Sequence, residues 1–175
     1  MIFKKYSLTT SIAGILTVIV AVIGILLGSS AVKSKDLEKK LDMTGWNVWH
    51  DITVSKCKES NECIINSKGK IKDAAGFFNS NLDFLHGKTL ILYFSNTAKS
   101  KFHNNHLVKL EYENGVIVRP SNNSVPLIGD GYLNATDKQI DKGIEFVMTD
   151  KFAGRLNFVF YKADLKDLKI TAWYK

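Results

Sequence analysis

The chain has 175 residues, 45% of them hydrophobic, with Lys+Arg 24 against Asp+Glu 17 and a formal charge of +7. That apolar content supports a packed core and excludes wholesale disorder, and the length suits one ordinary domain plus an extra segment. Arg119 and Arg155 are the only arginines and the lysines are mixed with acidic residues, which argues against nucleic acid as a partner, because bidentate phosphate and base-edge contacts rely on arginine.

The chain opens with a membrane-directed segment. No residue from Tyr6 to Val32 is charged, and "SIAGILTVIVAVIGILLG" is apolar on every side. A helix needs about 20 such residues to cross the hydrocarbon core. Residues 1–32 therefore read as an N-terminal signal anchor, a single transmembrane helix. A cleaved signal peptide is the competing reading, with Lys4 and Lys5 at its start and Ser29, Ser30 and Ala31 at its cleavage site; the apolar run exceeds the usual h-region, which favours the anchor. Both readings put the remaining chain outside the cytoplasm, in a periplasmic or extracellular setting. Gly24 and Gly28 fit a small-xxx-small packing pattern, although glycine is common in membrane helices generally.

Residues 33–44, rich in Lys, Asp and Glu, read as a charged stalk. From Gly45 onward the period changes to that of strands. "WNVWHDITV" alternates, with Val48, His50, Ile52 and Val54 on the Trp46 side and Asn47, Asp51 and Thr53 on the Trp49 side. Cys57 and Cys63, separated by five polar residues in an exported chain, predict a disulfide that pins a hairpin. "KDAAGFF" (72–78) fits a helical turn or a crossing segment, and "TLILYFS" reads as a strand buried on both faces. His103 and His106 form an H-x-x-H pair without an obvious third ligand, so no metal site is assigned. In "HLVKLEYENGVIV", Val108, Leu110 and Tyr112 share one face and Lys109, Glu111 and Glu113 the other, ahead of a type I′ turn at Asn114-Gly115. "GIEFVMTD", "GRLNFVFYK" and "LKITAWYK" alternate in turn, with Ile144, Phe146 and Met148, then Leu156, Phe158 and Phe160, then Leu168, Ile170, Ala172 and Tyr174 inward. Short strands at this spacing predict an all-β domain over residues 45–175, a β-sandwich or jelly roll.

The order "GWNVWHDITV", "LHGKTLILYFSN", "HLVKLEYENGVIV", "KGIEFVMTD" and "GRLNFVFYKADLKDLKITAWYK" resembles the carbohydrate-binding-module type of jelly roll, the galactose-binding-like β-sandwich, over about residues 43–175. The resemblance lies in the pattern of strands and not in a signature motif. It implies ligand binding through aromatic side chains that stack on sugar rings, whose C–H faces are apolar and whose rims are polar. Many such domains also hold a structural calcium, for which "GDGYLNATDKQID" offers Asp130, Asp137 and Asp141 without a calcium-loop spacing.

By parity Trp46 belongs to the core, whereas Trp49 faces out with Asn47 and Asp51 and is the expected ligand platform. Trp173 faces out by the same rule, and Tyr132 sits in the "GDGYLN" loop as a further platform. Burial under a neighbouring loop is the competing reading for each, since tryptophan is highly buried on average. No nucleophile elbow, H-E-x-x-H or P-loop is present, and the domain reads as non-catalytic. Two functions fit. One is a membrane-anchored extracytoplasmic binding domain for envelope glycan; the other is a structural or assembly subunit of a cell-envelope protein complex.

Overall fold

The computed structural model describes residues 37–56, 59–121 and 125–175. The expected anchor (1–32), the Gly24/Gly28 face and Cys57 lie outside the described residues. No helix among the described residues is long and apolar enough to cross a membrane. What is described is all-β and antiparallel. The strands are β1 (Lys39–Lys40), β2 (Asn47–Trp49), β3 (Ile52–Lys56), β4 (Glu62–Ser67), β5 (Ala74–Asn79), β6 (Thr89–Ser95), β7 (Lys109–Tyr112), β8 (Leu127–Ile128), β9 (Tyr132–Leu133), β10 (Ile144–Val147), β11 (Leu156–Tyr161) and β12 (Leu168–Tyr174).

One sheet runs β10-β6-β12-β4-β3, with β1 also paired to β12; a second runs β2-β5-β11-β7; β8 and β9 pair with each other. Apart from that small pair, the chain alternates between the two large sheets from β4 to β12, so nearly every connection crosses the core. Period-2 side chains from both sheets meet there. Leu90, Leu92, Ile65 and Ile170 come from the larger sheet and Phe77, Phe158 and Phe160 from the smaller, all in one apolar cluster. Phe77 and Phe158 stack with centroids 4.7 Å apart, and Trp46 meets each of them at 5.6 Å. Trp46 is core, as its parity predicts. The inward residues expected on β7, β10 and β11 and at Leu168, Ile170 and Ala172 of β12 are buried.

Several local expectations are corrected. "WNVWHDITV" is not one strand: His50 adopts φ 60, and the chain leaves β2 in the smaller sheet to enter β3 in the larger one. Val48 consequently sits on an edge strand, 48% exposed, instead of on a core face. The expected stalk is sheet and core from Lys39 on, because β1 pairs β12 and Leu41 and Met43 are buried. "KDAAGFF" supplies β5, not a helical turn; its small residues suit close sheet packing. The Asn114-Gly115 turn is not type I′, since only Gly115 has positive φ. It is a three-residue loop: the Gly115 N–H donates to the Tyr112 carbonyl, the Tyr112 N–H to the Val116 carbonyl, and the Val116 N–H to Asn114 Oδ1. Cys63 is buried on β4 with its Sγ 3.9 Å from Met43 Sδ.

Candidate functional site

The register of the smaller sheet fixes what its outer face presents. Trp49 pairs with Gly76, Gly76 with Val159 and Val159 with Lys109, making one row across four strands. The adjacent row is Asn47, Phe78, Asn157 and Glu111. Gly76 explains how an indole lies on this face. A Cβ there would stand 2.8 Å from Trp49 Cζ2 and Nε1 and would collide with the Phe158 carbonyl oxygen. Trp49 thus occupies space that a side chain at position 76 would take, and it stays half-buried.

A groove of about 510 Å³ runs along these rows between Trp49 and Tyr132. Its polar wall is cross-tied. Lys109 and Glu111 form an ion pair at 2.6 Å. Arg155 stacks its guanidinium 4.1 Å from the Phe78 ring centre, and its Nε donates to Asn157 Oδ1 at 3.1 Å. Asn157 Nδ2 in turn donates to the Glu111 and Tyr112 carbonyls. Donors and acceptors are therefore held in place beside an apolar plate, as selective binding of a rigid polar ring requires. A second hollow, of about 400 Å³, lies on the other side of Trp49 and takes in Asp51 and Lys72.

The structure brings together some of the residues expected from sequence and separates others. Trp49 and Tyr132 wall the same groove, Asp51 joins Trp49 in the second hollow, and Asn47 is exposed at the edge of the same face. Tyr132 is not a loop platform: it lies on β9, 5% exposed, with its ring stacked on His106 at 4.7 Å and 4°. Burial, with Glu111 and Asp130 adding to it, pushes the Tyr132 hydroxyl up to about 12, so it remains protonated at neutral pH. Trp173 lies on β12 in the other sheet, under the Lys40 ammonium at 5.9 Å, and lines neither of the two hollows described beside Trp49. Among the described residues no group of three or more carboxylate, His or Cys side chains gathers as a metal site, so Asp130, Asp137 and Asp141 do not form one.

Lys109, Glu111, Arg155 and Asn157 are not among the residues that the sequence nominates for the ligand site. Their outward parity on β7 and β11 is readable; what is not readable is that those strands are neighbours beside β5. His106, which the sequence assigns to no site, packs against Tyr132 and His103, whose rings lie 4.7 and 6.1 Å away. Its Nδ1 is buried without a hydrogen-bond partner among the described residues. Comparison of the chain with protein-family models, with curated proteins and with solved structures finds no match.

Proposed function

We propose that this chain is a membrane-anchored, extracytoplasmic and non-catalytic binding domain that recognises envelope glycan on the outer face of the smaller sheet. One observation carries the reading: Trp49 lies over Gly76 beside a fixed array of Arg155, Asn157, Glu111 and Lys109. The indole offers the apolar C–H face of a sugar ring a flat partner, and the array offers its hydroxyls charged donors and an acceptor. Alternation of the strands between two antiparallel sheets supports the jelly-roll reading of the fold. The uncharged run before Lys33 supports the anchor.

Tryptophan fluorescence of the full chain in detergent, titrated with envelope polysaccharides, tests this. A saturable shift that survives Trp173→Ala and disappears in Trp49→Ala is expected. A folded protein that shows no shift with any glycan overturns the proposal. The second reading, an assembly subunit, draws on Val116 and Val147, both exposed and both lining a hollow of about 580 Å³ near the β7 hairpin. Recovery of a stoichiometric protein partner from solubilised membranes, lost in Val147→Asp, favours it.

A further inference from the structure

We propose that a lysine-lined hollow near the groove binds an anionic group, a phosphate or a carboxylate, carried by the same ligand whose ring rests on Trp49. The glycan part of this statement rests on the proposed function; the anion part stands on its own geometry.

The hollow, of about 290 Å³, is walled by Lys70, Lys101, Phe102, His103, Lys162 and Asp164. Three ammonium groups against one carboxylate leave a formal +2 with His103 neutral. The groove differs: there Lys109 is paired with Glu111, and Arg155 lies 3.7 Å from Glu113. None of Lys70, Lys101 and Lys162 has an ion pair among the described residues, although six other basic side chains do. Like charges in excess over their counter-charge repel, and an anion reduces that cost.

The walls are also fixed. Lys101 and Asp164 exchange both backbone hydrogen bonds, the Ile71 N–H donates to the Ala163 carbonyl, and the Lys162 N–H donates to the Asp73 carbonyl. Three distant segments are thereby laced around one space. Lys162 holds φ 47, and Asn104 and Asn105, next to His103, hold φ 49 and 61. Left-handed backbone is uncommon for non-glycine residues, lysine included, although asparagine adopts it more readily than most. A hydrogen bond with Tyr161 holds the Lys162 ammonium above its ordinary value, so its charge persists through the neutral range.

The hollow and the groove share an aromatic column. His103 lines the hollow and meets Tyr161 at 5.8 Å; Tyr161 meets Tyr132 at 6.2 Å; Tyr132 lines the groove. The hollow and the groove are thereby neighbours, within reach of one polymer that carries charged substituents.

Calorimetric titration of the full chain in detergent tests this with four probes: a neutral N-acetylglucosamine oligomer, a uronate-containing oligomer, a phosphate-bearing oligomer and inorganic phosphate. The charged oligomers are expected to bind at least about tenfold tighter than the neutral one, in a salt-sensitive manner. Lys101→Gln and Lys162→Gln should each erase about tenfold of that preference while leaving the neutral oligomer unchanged. Lys70→Gln, at an exposed position, repeats the test without risk to folding. Preference for only one charged oligomer supports the proposal and identifies the anion. Equal binding of neutral and charged oligomers, or indifference to all three lysine variants, overturns the anion site and leaves the glycan reading intact. Lysine-dependent binding of inorganic phosphate with no oligomer bound supports the anion site and overturns the glycan reading. No binding of any probe overturns both.

Discussion

At His106 two requirements conflict. The ring is needed as a filler, stacked flat on Tyr132 and close enough to Gly129 that a Cβ there would stand 2.7 Å from Nε2. Its Nδ1 nevertheless has no partner among the described residues, and a buried polar atom left unpaired is costly. Burial lowers the imidazole pKa below its usual 6.5 and His103 lowers it further, against the pull of Asp130. The unfolded chain therefore takes up a proton first as the pH falls. The stabilising contribution of neutral His106 is complete above the unfolded value of 6.5 and is lost as the pH drops through the lowered folded value. Urea unfolding from about pH 8 to about pH 5 should show this decline, and His106→Phe, which keeps the stack, should flatten it. Parallel profiles for the two proteins would assign the pH dependence to other groups. The residue types in this column are visible in the sequence. Their stacking is not, because His106 and Tyr132 meet only where their chain segments come together, through the Leu107 N–H to Leu133 carbonyl bond and the His106–Asn134 bridge.

Strand and turn behaviour follows local chemistry wherever one sheet face is buried. The β7 hairpin shows both the reach and the limit of that rule. Alternation along "VKLEY" fixes the faces, and Asn114-Gly115 fixes the place of the turn, but the turn type depends on which residues enter the left-handed region. Here Gly115 alone does so, at φ 75. Gly115→Ala should therefore cost about 1 kcal/mol, a few degrees of melting temperature, because a Cβ is strained in that conformation. Nothing lies within 4 Å of the added atom, so no clash contributes. Thermal melts of the variant check this, and an unchanged melting temperature would mean that the loop relaxes to another turn. At His50 the same left-handed conformation appears without glycine, and it is there that the chain leaves one sheet for the other. No periodicity announces that break, which is why Asn47 and Trp49 stay together while Thr53 passes to a sheet where its hydroxyl reaches the Asn66 carbonyl.

On the scale of the whole described domain, one core serves both sheets. Phe158 occupies its centre, stacked on Phe77 and edged by Trp46. Phe158→Ala should cost about 3–5 kcal/mol through lost burial and the cavity left behind. Calorimetry should show a single transition at lower temperature; two separated transitions would mean that the sheets unfold independently. The same strand positions the groove, since inward Phe158 alternates with outward Asn157 and Val159. Sequence by itself determined the all-β class and the inward faces of the late strands, because each depends on a period of two along a single strand. Tertiary structure alone decided that Lys109, Glu111, Arg155 and Asn157 share one groove with Trp49, that Trp173 stands on the other sheet, and that three lysines from separate segments surround one hollow. Those outcomes depend on which strands become neighbours, a matter of long-range pairing between residues that local periodicity does not encode.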